Sequence, residues 1–445
     1  SGISAQVSPL QVDTLKEMKI PTQWDLQSCI DYAKEQNITI RKNRITAVST
    51  QIDVKTAKAA LFPSLSFSTG HQVVNRPYQE TSSRVSGSEI ISSNSKTSYN
   101  GNYGLNASWT LYNGNKRLKT IQQEKLNNQM AELDVATSEN NIQESIAQVY
   151  IQILYAAESV KVNENTLQVS IAQRDRGQEL LNAGSIAKSD LAQLEAQVST
   201  DRYQLVTAQA TLEDYKLQLK QLLELDGENE MNIYLPALSD ENVLAPLPTK
   251  RDVYISALSL RPEIEASKLN VEASELGINI AKSSYFPTIS LSAGIGTNHT
   301  SGSDFTFGEQ VKNGWNNSIG LSVSVPIFNN RQTKSAVQKA KLQYETSMLS
   351  LLDEQKALYK TIESLWLDAN SAQQRYAAAN EKLKSTQISY ELISEQFNLG
   401  MKNTVELLTE KNNLLQAQQE QLQAKYMAIL NTQLLKFYQG DQLAL

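Results

Sequence analysis

Acid–base, nucleophilic and metal chemistry needs histidines, cysteines and carboxylates gathered at set spacings, and this chain offers few of them. It holds two histidines, His71 and His299, and one cysteine, Cys29. The histidines fall in strand or loop stretches at positions that are not equivalent in the repeat described below. No His/Cys set has metal-ligand spacing, and neither a Gly-x-Gly-x-x-Gly stretch nor a phosphate loop occurs. An enzymatic activity, a metal centre and a cofactor are therefore not expected. Cys29 lies in Trp24-Asp25-Leu26-Gln27-Ser28-Cys29-Ile30, the apolar spacing of an amphipathic helix, and reads as a buried structural thiol. Two acids stand out, Asp190 and Glu406, each six residues beyond a glycine (Gly184 and Gly400) in matched segments. A glycine closing one helix and a carboxylate in the first turn of the next is ordinary hairpin chemistry, because the helix dipole favours the acid there. Multiplied by symmetry, the same acids would instead ring the end of a tube and select cations.

The matched segments belong to a long internal repeat. Residues 57–70 read AKAALFPSLSFSTG and residues 281–294 read AKSSYFPTISLSAG, an offset of 224. Gly104-Leu105 through Tyr112-Asn113 matches Gly320-Leu321 through Phe328-Asn329, and Gly184 to Leu191 matches Gly400 to Leu407, both at an offset of 216. Ala33 to Ile40 matches Ala257 to Ile264 at 224. A period of this length is a whole structural unit, of the order helix, strand, strand, helix, helix. The expected organisation is an N-terminal extension at 1–22, a first repeat at 23–225 (strands about 64–75 and 100–111, hairpin at 183–188), a connector at 226–250, a second repeat at 251–438 (strands about 288–299 and 315–327, hairpin at 399–404) and a tail at 439–445.

None of the ten prolines lies between 78 and 235 or between 327 and 445, and these stretches are rich in good helix formers. A helix from about Lys116 to Asn182 would extend about 100 Å, a length that points to coiled-coil packing. Apolar residues recur at three- and four-residue intervals, as in Ile142, Ile146, Val149, Ile153 and in Leu351, Leu352, Leu358, Ile362, Leu365. The mean hydropathy of −0.39 fits long helices with much wetted surface. A net charge of −6 without a basic cluster argues against nucleic acid as a partner.

The strands alternate with period two. Leu65, Phe67 and Thr69 face one way, as do Tyr103, Leu105, Ala107, Trp109 and Leu111, then Ile289, Leu291 and Ala293, then Ile319, Leu321, Val323, Val325 and Ile327. The intervening residues are Ser, Thr, Asn and Gly, with no Lys or Glu to blunt a solvent face. Such strands suit a sheet on a soluble core. They equally suit a transmembrane barrel, and the aromatics at their ends, Phe62, Trp109, Tyr112, Phe286, Trp315 and Phe328, fall where an interfacial girdle would. No run of 18 apolar residues exists to form a transmembrane helix, and Ser1-Gly2-Ile3 opens directly into polar sequence, as in a cytosolic or processed chain. In lipid, four strands cannot close a barrel, since an open edge leaves backbone groups unpaired at several kcal/mol each. The membrane reading therefore requires other copies of the chain.

These features together resemble the TolC-like outer-membrane efflux protein family. The resemblance rests on the duplicated helix, strand, strand, helix, helix unit, the twin motifs Phe62-Pro63-Ser64 and Phe286-Pro287-Thr288, the Gly-x5-Asp/Glu-Leu turns and the opening Trp24-Asp25-Leu26 to Ala33 helix, and it covers about Gln23 to Tyr438. It implies an α+β membrane protein: a homotrimer in which four transmembrane strands per chain complete a 12-stranded β-barrel, continued by a long α-helical coiled-coil barrel. It further implies residence in the outer membrane of a Gram-negative bacterium with the helical body in the periplasm. The function implied is a passive exit duct of a tripartite efflux pump or type I secretion system, with a periplasmic adaptor, an inner-membrane transporter and outer-membrane lipid as partners. By position, the resemblance puts Asp190 and Glu406 at a periplasmic tip that gates the pore, with Lys402 as a basic latch and Phe397 as the aromatic before the second turn. The family's paired acids, three residues apart, stand here as Glu406 and Thr409, with Glu410 one step on. The acidic ring is thus expected to be weaker or displaced, and Lys402 in place of Arg loses the bidentate fork. Adaptors are implied to dock beside Gly184 and Gly400. The rival reading is a soluble coiled-coil scaffold without channel activity, which would stay in solution without detergent.

Overall fold

The structure, a computed structural model, describes residues 19–80, 82–86, 89–93 and 96–445. Most of the expected 1–22 extension lies outside the described residues. In chain order the elements are α1 (Leu26–Gln36), α2 (Ile38–Ala59), β1 (Ser64–Asn75), β2 (Ser82–Ser86), β3 (Glu89–Ser93), β4 (Thr97–Asn113), α3 (Lys116–Asn182) and α4 (Lys188–Leu222). There follow α5 (Asp240–Val243), α6 (Lys250–Leu260), α7 (Pro262–Lys282), β5 (Thr288–Thr300), α8 (Phe307–Asn313), β6 (Asn316–Ser324), α9 (Gln332–Asn398) and α10 (Thr404–Gln439). Two compact units divide the chain, one made of residues up to Ile45, Glu132–Ala266 and Leu352–Leu445, the other of Thr46–Ala131 and Ser267–Leu351.

The second unit carries an antiparallel sheet in the order β1-β4-β5-β6. Its register gathers the alternating residues into rows. Leu65, Ala107, Ala293 and Ile319 form one row, and Trp109, Leu291 and Leu321 another. Between them run Ser108, Ser292 and Gly320, and beyond the first row Ser66, Asn106, Gly294 and Ser318. One face is thus apolar and the other almost wholly serine, asparagine and glycine. A sheet lying on a soluble core would bury the apolar face. Here Leu65 is 69%, Ile319 77% and Leu321 65% exposed, so among the described residues nothing covers it.

Two strand details depart from the expected alternation. The β4–β5 register slips between Thr110 and Tyr112, so that Tyr112 rather than Leu111 stands opposite Ile289. Such a bulge leaves one residue without a partner and moves its successor to the other face, which removes Leu111 from the expected row. The last strand ends at Ser324 instead of about 327. Pro326 has no N–H to give a ladder and restricts Val325 before it.

In the first unit, Ile146, Val149 and Ile153 are buried around Trp24, Cys29 and Tyr150, with Ile142 at the margin. Trp24 bridges Ile233 of the connector in parallel, and the Tyr150 hydroxyl donates to the Tyr234 carbonyl at 2.5 Å. Burial pushes the Cys29 thiol up to about 12, which leaves it inert. A second cluster holds Leu358 and Ile362 against α6 and α10 residues, with Leu365 packed beside it. Leu352, expected on that stripe, is exposed.

Candidate functional site

Two regions hold the residues singled out above. The first is the pair of helix hairpins joining α3 to α4 and α9 to α10. Each closes on a left-handed glycine, Gly184 at φ +73° and Gly400 at φ +76°. The Gly184 N–H donates to the Leu181 carbonyl and the Ser185 N–H to Leu180, and the Gly400 and Met401 N–H groups repeat this on Phe397 and Gln396. This double bond satisfies helix-end carbonyls and requires a positive φ that only a residue without Cβ adopts cheaply. Among the described residues no atom stands within 4 Å of where a Cβ would sit on either glycine, so both turns are open.

The acids that follow are bound to their own helix starts. Asp190 accepts the Ala187 N–H at 3.0 Å. Glu406 accepts the Asn403 N–H at 3.1 Å and the Lys402 ammonium at 3.0 Å, while the Asn403 side chain accepts the Glu406 N–H at 2.8 Å. The Asn403 N–H, and after it Lys402, hold the Glu406 carboxyl below the usual range. Lys402 and Glu406 are therefore brought together. Thr409 bonds back to the Val405 carbonyl, and Glu410 lies 3.5 Å from Asn413, both within α10. Phe397, just before the second turn, is packed inside and 3% exposed.

Sequence reasoning missed the polar cluster behind these turns. The Lys411 ammonium and the Ser170 hydroxyl both donate to Asp201 Oδ2, and Gln197 donates to Oδ1 at 2.9 Å, which ties α3, α4 and α10 together. The Lys411 and Asp201 side chains are 3% and 2% exposed. Burial pulls the Lys411 ammonium below the usual lysine range, and the hydrogen bond and charge of Asp201 pull it back. A signal existed: Asp201 continues the spacing of Leu191, Leu194 and Val198, and Lys411 stands between Leu407 and Leu414, so each charge occupies an apolar-stripe position.

The second region is the sheet. Phe62, Phe286 and Phe328 are exposed and flank the ends of β1, β5 and β6 that adjoin helices, where Trp109 donates its indole N–H to the Leu61 carbonyl at 2.8 Å. Trp315 precedes β6 at the opposite end and donates to Asn317 at 3.1 Å. At that end stands a ring cluster that the sequence did not announce: His71, Tyr99, Tyr103, His299 and Phe307, with centroids 4.9 to 6.3 Å apart. Aromatic side chains thus stand at both ends of the sheet. From Phe62 to His71 the strand rises about 30 Å, or about 21–25 Å once tilted as barrel strands are, close to the height of a membrane barrel's apolar band.

Comparison with known proteins fits this geometry. The chain belongs to the outer membrane efflux protein family, whose profile matches residues 29–224 and 253–440. It is 24% identical over 294 residues to the outer membrane efflux protein BepC of Brucella suis biovar 1, covering 66% of this chain and 61% of that one. To the outer membrane protein TolC of Escherichia coli K12 it is also 24% identical over 294 residues, covering 64% of this chain and 58% of the relative. The matched region therefore spans less than two thirds of either relative. Its fold is that of the crystallised CusC, with a TM-score of 0.80, 18% identity and 96% of each chain covered. The protein is one of the outer membrane.

Proposed function

We propose that three copies of this chain close a 12-stranded barrel and form a passive exit duct, the outer-membrane component of a tripartite efflux pump or type I secretion system. The observation that carries this reading is the sheet. Among the described residues one face is apolar and uncovered, the other is small and polar, and β1 and β6 each pair on one side only. Because the four strands alternate in direction, β6 of one copy lies antiparallel to β1 of the next, so identical copies continue the ladder and close it. Lipid covers the Leu65, Ile319 and Leu321 face, and the serine face lines water. The aromatics Phe62, Trp109, Phe286, Trp315 and Phe328 serve as interfacial girdles.

The long helices α3, α4, α9 and α10 continue the duct into the periplasm of a Gram-negative cell, and small molecules or polypeptides leave through it. A periplasmic adaptor docks on the open turns at Gly184 and Gly400, and an inner-membrane transporter supplies the energy. Asp190 and Glu406, with Lys402, Thr409 and Glu410 nearby, ring the tip, and buried Phe397 holds the second turn's shape. The double variant Asp190→Asn, Glu406→Gln keeps acceptors for the helix-start N–H groups and removes charge. In planar bilayers it is expected to raise resting conductance severalfold and weaken cation preference. Unchanged conductance and selectivity would reduce both acids to helix-start residues.

A further inference from the structure

The register pairs Gly101 of β4 with His71 of β1 on one side and His299 of β5 on the other. Both rings lean over the bare glycine. A Cβ there would stand 2.2 Å from His299 Cε1, 2.8 Å from His299 Nδ1 and 3.1 Å from His71 Nδ1. Hydrogen bonding fixes the His71 tautomer. The Thr69 hydroxyl donates to the Asn102 carbonyl at 2.9 Å, so toward His71 Nε2, 3.0 Å away, it accepts. The neutral ring therefore carries its proton on Nε2 and presents the Nδ1 lone pair, on which the Tyr99 hydroxyl sits at 2.7 Å. His299 Nδ1 is shielded from solvent and has no hydrogen-bond partner among the described residues. A buried ring nitrogen left unpaired is costly and calls for an explanation. Tyr103 stacks on His299 at 5.9 Å and meets His71 edge-on at 5.5 Å, while Phe307 closes on His299 at 4.9 Å, so neighbouring rings hold the pair in place.

We propose that His71 and His299 bind a divalent first-row transition ion, of the Zn²⁺, Ni²⁺ or Cu²⁺ kind that imidazole favours, above Gly101. The two Nδ1 atoms are its ligands, the Tyr99 oxygen turns from His71 to become the third, and water completes the shell. Metal–imidazole bonds are about 2.0–2.1 Å, so the two rings turn toward each other to meet the ion. The bound ion clips β1 to β5 across β4 and stiffens the strand ends. This site stands on the register and the tautomer, and does not depend on the duct reading.

The test uses the full chain without a polyhistidine tag, in detergent, stripped with chelator and then titrated calorimetrically with Ni²⁺, Zn²⁺ and Cu²⁺ in turn. One ion per chain is expected. His71→Gln and His299→Gln should each weaken binding about tenfold or more, as loss of a ligand or its support does. Gly101→Ala should do the same with both histidines retained, because the new methyl collides with the His299 ring. Should any variant misfold, the Cu²⁺ spectrum of the unaltered protein decides, with two nitrogen ligands expected in electron paramagnetic resonance. No binding at millimolar ion, variants that bind as tightly as the parent, or an all-oxygen Cu²⁺ spectrum would each overturn the proposal.

Discussion

Leu321→Arg prevents recovery of the folded, assembled protein from membranes, whereas Ser322→Arg, one residue on, does not. Leu321 stands in the row of Leu291 and Trp109, while Ser322 pairs with Ser290 on the other face. An arginine on the lipid face of a barrel costs about 2–4 kcal/mol near the midplane, and every copy in the ring bears it. On the water-lined face the same side chain keeps its hydration, so its effect falls on conductance. Membrane fractionation and heat-dependent gel mobility of the two variants read the difference. Normal assembly of Leu321→Arg together with failure of Ser322→Arg would mean that the faces are assigned the wrong way round.

Lys411→Met destabilises the helical body by about 3–5 kcal/mol, the usual result of stranding one partner of a buried ion pair. Asp201 would keep its bonds from Ser170 and Gln197 but lose the only cation that touches it among the described residues. The pair itself contributes far less than that figure, since burying both charges cost desolvation in the first place. Asp201→Leu combined with Lys411→Met should therefore recover most of the loss, since both positions continue helix stripes whose residues Leu194, Val198, Leu407 and Leu414 are buried. Urea denaturation followed by helical circular dichroism gives both values. A single variant as stable as the parent would show that water reaches Asp201 in solution.

Much of this architecture was legible because it is written locally. The absence of proline from 78 to 235 and the Gly184 and Gly400 signals delimit α3, α4, α9 and α10, and period-two alternation marks β1, β4, β5 and β6. What escaped notice depends on residues distant in the chain. His71 and His299 meet because β4 inserts Gly101 between their strands, a fact of register that no single strand contains. Asp201 and Lys411 meet across two hairpins, and only their intrusion into apolar stripes hints at it. The bulge at Leu111 lacks a glycine or proline to announce it, and Phe397 reads as a turn residue until packing buries it.

Joining the free edges of the sheet tests most directly whether identical chains complete it. In one chain β1 and β6 are separated by β4 and β5, about 14 Å at the usual strand spacing, too far for a disulfide. Cysteines scanned pairwise along both edges, starting from Ser66→Cys with Ser318→Cys, can therefore oxidise only between copies, and Cys29 is buried out of reach. Oxidation in membranes should give products of two and three chains and none larger, the largest a closed ring of three 49.5 kDa chains. Single chains alone at every pairing, or a ladder running past three, would contradict it.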